Sequence, residues 1–527
     1  MKLSSALATL IAFHRHGHSI WASADERKLL LNQADAAKRV DDIVKTAMAS
    51  ADAGDVKGVA LPLNFVALSY GTQQLSVALR LPGVDRDQNI MIDTGSSSLA
   101  FCDKSLIEEA VNITKTDYAQ CKKYDGALSC QNDPSAGNSF YVGQVFKGNI
   151  TAYNSETGKD IASMDEVYFG ILSTVQNYFC DEPLNGIIGV AYSALNSGQK
   201  LPSPDYDILS LWNQSCKVDN ISVGSCTDNN MTTVPLPAPL EQILKEDDES
   251  GYISAEAFGL YCDYAATIGS KLGTIVPSLG IFFGGDMALN NTFYNGGTPQ
   301  VAAVGNSCGE YKWYTLKLTS IRVPALNMTQ SGFSQCDKCD GSCFTDSGYS
   351  SMHLPLPASQ CDDLNKNNVG TLKNMGSLLL DIVGKHGNNT ITLSLPLLWL
   401  AEQSATGRLF CSGTSGDFIL GFPIFQYYYL AYDMGSKTVT FVDLPLSNET
   451  EALINGPELG GTNESPSSGT TESPSSGNSV DLPPSNETEA LINGSKTKES
   501  PSSANHVHST TIFLAVGSLL LAFQYIS

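Results

Sequence analysis

Two short segments, far apart in the chain, constrain its fold more than any other feature. Residues 90–97 (IMIDTGSS) place an Asp on a tight Gly turn directly after a hydrophobic strand, and residues 343–350 (CFTDSGYS) repeat the Asp-Ser/Thr-Gly turn. Average composition extends roughly 1 in 100 Asp residues into such a triplet, so two copies exceed chance in a chain whose Asp and Glu together number 54. The pair indicates that Asp93 and Asp346 occupy equivalent places.

The stretch between residue 59 and about 445 has the pattern of a β protein. Short β-type runs are divided by Gly, Asn, Asp and Pro, among them 75–79, 281–283 and 438–442. The stretch is too long for one sandwich and predicts a mostly β body of two β lobes. The predicted N-terminal lobe is 59–268 with Asp93, and the predicted C-terminal lobe is 269–445 with Asp346.

Two aspartates that meet across a lobe interface have a specific chemistry. Like charges at about 3 Å cannot both ionise, so the pair shares one proton and titrates as a unit. The ionised carboxylate can then take a proton from water, while the protonated carboxyl binds a scissile carbonyl and supplies a proton to the leaving amine.

These motifs resemble the pepsin-like aspartic proteases, and the resemblance extends over most of 65–445. Further segments share patterns of that family, namely 185–192 (NGIIGVAY), 418–421 with 425–433 (FILG and FQYYYLAYD), 140–148 (FYVGQVFKG, with the Tyr-to-Gly spacing of the flap hairpin) and 282–286 (FFGGD). Gly189 and Gly421 suit a backbone that passes so tightly under each active-site loop that no Cβ fits there. The resemblance implies a mostly β, bilobal pepsin-like fold with the active site between two β lobes. It also implies aspartic endopeptidase activity on peptide or protein substrates.

The same resemblance assigns a role to each residue of the two turns. Asp93 and Asp346 are expected to form the catalytic dyad. The expected supporting residues are Thr94 and Ser347, whose buried hydroxyls cross-bond the loops, Gly95 and Gly348, whose amides face the inner carboxylate oxygens, and Ser96, which donates to the outer oxygen of Asp93. Tyr141 is expected at the flap tip, where it closes over substrate; the alternative is a hairpin Tyr without a catalytic duty.

Several positions depart from the family pattern. Tyr349 stands where the first loop has Ser96, Phe344 and Thr345 precede Asp346, and Phe422 replaces an Asp. Ala100 stands where many members have a Trp that binds the flap Tyr. The membrane-anchored beta-secretases resemble this chain in having Ala at that position. These departures keep open a second hypothesis, a catalytically weak pepsin-like protein that binds or adheres at a surface.

The cysteines indicate an oxidising compartment. Thirteen cysteines and many Asn-x-Ser/Thr sequons are typical of a secreted, glycosylated, disulfide-bonded protein, and the odd number leaves one cysteine unpaired, paired between chains or lost with a cleaved segment. Cys361 and Cys411 flank the expected excursion of the second lobe and are predicted to pair. Two of Cys336, Cys339 and Cys343 are predicted to form a short loop, with a zinc site as the alternative for Cys336 and Cys339.

Charge and composition exclude other function classes. The formal net charge is −23, whereas a nucleic-acid partner requires clustered Lys and Arg. With seven His residues, three of them at 14, 16 and 18, a histidine-based metal enzyme is disfavoured. We expect no metal and no cofactor, and a monomer.

The N-terminal residues have the features of a signal peptide followed by a prosegment. Residues 1–24 contain an apolar run and the small residues of a signal-peptide cleavage site. Residues 25–58 have helical spacing and are a candidate prosegment, a zymogen element that occupies the cleft and is processed at Lys38-Arg39. An N-terminal packing helix that remains in place is the alternative.

The C-terminal residues predict a surface anchor. Residues 446–510 are rich in Ser, Pro, Thr and Glu and predict a disordered, glycosylated stalk. The unit VDLP(L/P)SNETEALING occurs twice, at 442–456 and 480–494. Residues 511–527 form a short apolar tail without a basic flank, which is typical of a glycosylphosphatidylinositol (GPI) signal with attachment at Ser502 or Ser503. The predicted location is the outer plasma membrane, as in GPI-anchored, yapsin-like proteases; a short transmembrane anchor is the alternative.

Overall fold

The structure of this chain is a computed structural model. It describes residues 24–53, 57–68, 73–124, 139–154, 157–176, 178–203, 206, 232–240, 256–263, 273–290, 297–307, 309–333, 336, 343–366, 376–387, 389–397, 410–411 and 416–443. The signal peptide (but for residue 24), the stalk, the apolar tail, Ser502 and Ser503 lie outside these residues, so these assignments stay predictions.

Strands dominate the described part of the chain. In its first part they are β1 Gly58–Ala67, β2 Gln73–Arg80, β3 Gln88–Asp93, β4 Leu99–Phe101, β5 Thr114–Tyr124, β6 Ser139–Tyr153, β7 Asp160–Gln176, β8 Gly186–Gly189, β9 Ser197–Lys200, β10 Thr233–Pro235, β11 Ala257–Cys262 and β12 Thr274–Gly285. In its second part they are β13 Gln300–Ser307, β14 Glu310–Leu316, β15 Leu318–Val323, β16 Met328–Ser331, β17 Cys343–Thr345, β18 His353–Leu354, β19 Ser377–Val383, β20 Thr390–Pro396, β21 Phe410–Cys411, β22 Phe418–Leu420, β23 Tyr428–Asp433 and β24 Thr438–Asp443. The prediction of a mostly β chain is confirmed.

Helices are fewer in the same residues. They are α1 Ala24–Asp52, α2 Leu106–Glu109, α3 Asp286–Leu289, α4 Ala358–Lys366 and α5 Pro423–Tyr427, with single 3₁₀ turns at Tyr178–Cys180, Ser193–Leu195 and Pro324–Leu326. None of these described helices is long and apolar enough to cross a membrane.

An antiparallel central sheet joins the two ends of the described body. Its strands are hydrogen-bonded in the order β1–β12–β11–β23–β24–β13, so the first and last strands of the body meet in one sheet. At one edge β1 pairs with β2 and leads into the strands β2–β10; at the other, β13 pairs with β14 and leads into β14–β22. The predicted lobe boundary at 268/269 falls between β11 and β12, inside the central sheet, and it stays a prediction.

The two halves present their Asp turns through the same local arrangement. In the first half, β3 ends at Asp93 and runs parallel to β8, which also pairs antiparallel with β4, the strand after the turn. In the second half, β17 precedes Asp346 and runs parallel to β22, which also pairs antiparallel with β18. Because a parallel partner lies beside each Asp strand, Asp93 and Asp346 lie at equivalent positions, each where its strand ends.

The two faces of the central sheet have different neighbours. Along β23, Tyr428, Leu430 and Tyr432 belong to the main apolar core, whereas Tyr429 and Ala431 belong to a second, smaller cluster. Side chains of a strand alternate between its faces, so these clusters lie on opposite sides of the sheet. The Tyr432 hydroxyl donates to Thr345 Oγ1 at 3.0 Å, directly before Asp346, which identifies the main-core side as the face toward the Asp turns. We call it the inner face.

Helix α1 covers part of the outer face. Val40 and Ala47 are fully buried in the smaller cluster, and Ile43 and Val44 pack against it, at the spacing of one helical face. Arg39 donates to Asp263 Oδ2 through Nε at 3.1 Å and Nη2 at 2.9 Å. Asp263 follows β11, so this ion pair fastens the helix to the central sheet.

The prediction that the candidate prosegment 25–58 occupies the cleft is wrong for its helix. From Val40 to Ala51 its apolar face packs on the side of the central sheet that is turned away from Asp93 and Asp346, while Ala36 contacts the main core. The structure agrees with the alternative, an N-terminal packing helix. The physical reason is that the apolar stripe of α1 is complementary to the small apolar residues of the outer face, such as Ala60 and Ala257.

A partly buried carboxylate stabilises the four-stranded sheet β16–β15–β19–β20. Asp381 on β19 accepts hydrogen bonds from Arg322 Nε at 2.8 Å and Nη2 at 2.7 Å, from Thr392 Oγ1 at 2.7 Å, and from Ser320. Burial by itself would raise the pKa of Asp381, but the hydrogen bonds and the guanidinium charge outweigh it and lower this pKa to about 2. The carboxylate therefore stays ionised in moderately acidic solution.

We expect Asp381→Asn to lower the free energy of unfolding by on the order of 2 kcal/mol at pH 6. A pKa that is depressed in the folded state contributes stability above the unfolded pKa of about 3.9, and this contribution disappears as the pH falls through about 2. Denaturant unfolding at pH 2, 4 and 6 measures it. Asp41→Asn, which removes the exposed pair with Lys45, is the control and should change stability by less than about 0.5 kcal/mol. An equal loss for Asp381→Asn at all three pH values would contradict this expectation.

Candidate active site

The two turn aspartates meet in the structure. Asp93 is 6% exposed and Asp346 is half-buried. Each carboxylate accepts a hydrogen bond from the amide of the Gly two residues later, Gly95 to Asp93 Oδ1 at 2.7 Å and Gly348 to Asp346 Oδ1 at 2.9 Å. These are the amide contacts that the sequence predicts.

The pKa of Asp346 lies well above its usual value. Burial is the largest cause, and the negative charge of Asp93 and a hydrogen bond with it raise the pKa further. The amides of Gly348 and Tyr349 act in the opposite direction because they bind the ionised form. The carboxyls are thus close enough to interact directly, and the proton is favoured on Asp346.

Thr94 and Ser347 cross-bond the two turns, and both are fully buried. The Thr94 hydroxyl donates to the carbonyl of Thr345 at 3.0 Å and accepts from the Ser347 amide at 2.9 Å. The Ser347 hydroxyl donates to the carbonyl of Ile92 at 2.8 Å and accepts from the Thr94 amide at 3.0 Å. Each hydroxyl therefore uses one donor and one acceptor on the opposite turn, which fixes the two turns relative to each other.

The Gly residues of the turns are required by the space that the carboxyls occupy. A Cβ on Gly95 would lie 2.7 Å from Asp346 Cγ, and a Cβ on Gly348 would lie 2.7 Å from Asp93 Oδ1. Behind the turns, a Cβ on Gly189 would lie 2.3 Å from the Ser97 nitrogen, and a Cβ on Gly421 would lie 1.8 Å from the Ser351 carbonyl oxygen. No side chain fits at any of these four positions without moving the backbone.

The predicted hydrogen bond from Ser96 to the outer oxygen of Asp93 is absent. The Ser96 hydroxyl is buried and forms no hydrogen bond within the described residues. The sequence places a hydroxyl three residues after the Asp, but the rotamer that the surrounding loop allows decides where it points.

The second turn has an aromatic residue at the equivalent position. The Tyr349 ring stacks on His353, with ring centroids 6.3 Å apart and an interplanar angle of 18°. Burial lowers the pKa of His353, and Asp417 partly opposes this effect. The surroundings of Asp346 thus differ from those of Asp93.

The predicted position of Tyr141 at a hairpin tip is wrong. Tyr141 lies inside β6, opposite Lys122 of β5, and the connection 125–138 between the strands is outside the described residues. Its ring is fully buried and contacts Phe179 edge-on at 5.8 Å, in a cluster that also contains Met91 and Ala100. The Tyr-to-Gly spacing does not reveal where the hairpin turns, because that depends on strand register. A substrate-binding role of Tyr141 stays a prediction.

Disulfides tie down segments near both turns. Cys336 pairs with Cys343 at the start of β17, which is one of the predicted short loops and leaves no Cys336 thiolate for zinc. Cys361 is disulfide-bonded, but the side chain of Cys411 is outside the described residues, so their pairing stays a prediction. A further bond, Cys102–Cys180, was not deducible from the sequence, and Cys262 is a free, buried thiol.

Sequence reasoning missed two side chains that contact the turns. The Trp313 indole on β14 donates to the Gly95 carbonyl at 3.1 Å. The Gln74 amide on β2 donates to the Gly348 carbonyl at 2.9 Å. No local motif marks either residue, because each contact joins segments that are far apart in the chain.

The chain is similar to known proteins in structure but not in sequence. No known protein-family profile matches the chain, and no curated protein matches it in sequence. The structure of the chain is similar to the crystal structure of an aspartic proteinase from Irpex lacteus, with 14% sequence identity and a TM-score of 0.48. The alignment covers 75% of this chain and 99% of that protein. Support for a function therefore comes from the geometry of the two turns that carry Asp93 and Asp346.

Within the described residues, no group of three or more His, Cys, Asp or Glu side chains could hold a metal ion. What the site does contain is a pair of interacting carboxyls on two rigid turns. Such a pair can hold one proton and exchange it with a bound water or carbonyl.

We expect Asp346→Asn to remove a pH dependence of stability that is opposite to that of Asp381. A pKa raised in the folded state contributes stability below the unfolded pKa of about 3.9, and this contribution is lost as the pH rises through the folded pKa. Relative to the wild type, the variant should therefore gain stability between pH 3 and pH 7 in denaturant unfolding. Asp41→Asn should show no such gain. A constant difference between Asp346→Asn and wild type across this range would show that burial does not perturb this carboxyl.

Proposed function

We propose that this chain is a pepsin-like aspartic endopeptidase, which hydrolyses peptide bonds with Asp93 and Asp346 through an activated water. The observation that carries the proposal is the interacting carboxyl pair on two turns cross-bonded by Thr94 and Ser347. A merely structural carboxyl pair would not need two equivalent turns, each with a Gly whose amide binds its own carboxylate.

The proposed reaction follows from the distribution of one proton. The raised pKa of Asp346 favours the proton on that carboxyl, so Asp93 is the base of the pair. Asp93 takes a proton from a water between the carboxyls, and the resulting hydroxide adds to the scissile carbonyl carbon. Asp346 donates its proton to the carbonyl oxygen. The leaving nitrogen then takes the proton from Asp93, Asp346 takes back the proton of the hydroxyl group, and the C–N bond breaks. The dyad ends in its starting protonation state.

The pair supports a bell-shaped dependence of activity on pH. Activity should fall when both carboxyls are protonated in strong acid, and it should fall again when the shared proton is lost at higher pH. Because the pKa of Asp346 is raised, the working range should extend above the usual range of a carboxylic acid.

We expect Asp93→Asn and Asp346→Asn each to lower kcat by about 10³-fold or more, because either change removes the single-proton pair. The measurement is cleavage of mixed peptides by the ectodomain from pH 3 to 7, with and without pepstatin and with and without a metal chelator. Asp381→Asn is the matched control, since it changes a remote carboxylate and should retain activity at pH 5. Cleavage that persists in Asp93→Asn would refute the assignment. A folded wild type that cleaves no peptide would favour the alternative, a surface protein that binds rather than cleaves.

We further propose that the protein acts at the outer cell surface, lipid-anchored near Ser502 or Ser503. The signal-like start, the apolar end without a basic flank and the sequons support this location. The sequon residues Asn112, Asn149 and Asn327 are exposed, which makes them accessible for glycosylation.

Treatment of intact cells with a phosphatidylinositol-specific phospholipase should release the protein into the medium, because a lipid anchor is its proposed attachment. Mass spectrometry of the released protein should find no peptide from 511–527. Retention on the cells together with detection of 512–527 would instead show a transmembrane anchor. A glycosidase treatment that leaves the mass unchanged would contradict the proposed glycosylation.

A further inference from the structure

The Gly residue of each turn creates a mechanical problem. Gly95 and Gly348 need to lack a side chain because the opposite carboxyl occupies the space of a Cβ. Glycine, however, has the least restricted backbone of all residues, so the peptide that follows it can rotate. The amide on one side of each Gly is fixed by its own Asp, at Gly95 to Asp93 and Gly348 to Asp346. The carbonyl on the other side needs a separate restraint.

In both turns this restraint comes from the opposite half of the molecule. Trp313 lies on β14, which pairs with β17, the strand that leads to Asp346; its indole nevertheless donates to the carbonyl of Gly95, in the Asp93 turn. Gln74 lies on β2, which pairs with β3, the strand that carries Asp93; its amide donates to the carbonyl of Gly348, in the Asp346 turn. The two contacts are reciprocal between equivalent strands.

Both donors are held in place by their surroundings. Gln74 is fully buried, so its amide cannot exchange this bond for one to water. The Trp313 ring packs against Phe344, with centroids 5.9 Å apart and an interplanar angle of 32°. The bond from Gln74 to Gly348 is buried and the bond from Trp313 to Gly95 is partly buried. A hydrogen bond shielded from water is costly to lose.

We propose that Trp313 and Gln74 are positioning residues of the dyad. Together they form a reciprocal clamp on the Gly95 and Gly348 carbonyls, which holds the two carboxyls in the relative position that the reaction requires. The proposal rests on the proposed peptidase function. The clamp acts through backbone and touches no substrate atom. The clamp predicts that each residue restrains the turn of the opposite half: Trp313 the Asp93 turn and Gln74 the Asp346 turn. Neither residue restrains the turn next to its own strand.

The variants Gln74→Leu and Trp313→Phe remove each donor while they keep a side chain of similar shape. Gln88→Leu is the matched control for Gln74→Leu, because Gln88 is 1% exposed on the neighbouring strand β3. Among the described residues, its side-chain amide donates to the Arg86 carbonyl at 3.5 Å, away from the turns. Phe344→Leu is the control for Trp313→Phe, because it weakens the ring packing but leaves the indole donor.

Amide hydrogen exchange tests the clamp without any reference to activity. We expect faster exchange at 346–351 in Gln74→Leu and at 93–98 in Trp313→Phe, with the other turn nearly unchanged in each case. Gln88→Leu should leave both turns as in wild type. Faster exchange only in the turn next to the altered strand would show an ordinary local packing role and overturn the proposal.

Peptidase kinetics give the second measurement. Both variants should lower kcat between about 10-fold and 100-fold, because small misplacements of reacting groups have large effects, with KM within about twofold. In Gln74→Leu the alkaline limb of the pH profile should move to higher pH, since a looser Gly348 amide binds the ionised form of Asp346 less well, while Asp93 still faces it. Unchanged kcat and an unchanged profile in an active enzyme would refute the clamp. A wild type without peptidase activity would refute the proposed function, and the exchange experiment would then still decide whether the clamp exists.

Discussion

The direct contact between two carboxyl groups is the constraint on which the rest of this structure depends. Asp93 and Asp346 lie far apart in the chain, and their like charges oppose a close approach unless one of them keeps a proton. The cross-bonds of Thr94 and Ser347 hold the turns together against this repulsion, and the Gly residues leave room for the carboxyls. Rigidity at the turns and protonation of Asp346 are therefore two parts of one arrangement.

The central sheet supports this arrangement from behind. Its inner face carries Tyr432, whose hydroxyl bonds Thr345 beside the second turn, and its outer face carries helix α1. Each face needs a partner because both are apolar, and α1 supplies one for the outer face. The N-terminal helix is thereby a structural element of the body, fastened by Arg39 to Asp263, rather than a plug of the site.

The two turns are equivalent in backbone but not in surroundings. Asp93 is almost fully buried and is followed by Ser96, whereas Asp346 is half-buried and is followed by Tyr349 stacked on His353. A pair of identical carboxyls in identical surroundings would share its proton evenly. Here the proton has a preferred place, because burial, the charge of Asp93 and the hydrogen bond between the two carboxyls raise the pKa of Asp346. A reaction with a separate base and acid requires such a preference.

The sequence by itself determined the parts of this protein that depend on local chemistry. The apolar strand before Asp93, the Asp-Ser/Thr-Gly turns, the hydroxyls of Thr94 and Ser347 and the β character of the body all follow from short segments and their spacing. Only the tertiary structure decided which distant segments meet. It placed Tyr141 inside a strand, turned α1 to the outer face, and brought Gln74 and Trp313 each to the turn of the opposite half. Strand register and sheet faces fix these contacts, and both are set by the packing of the whole chain rather than by any neighbouring residues.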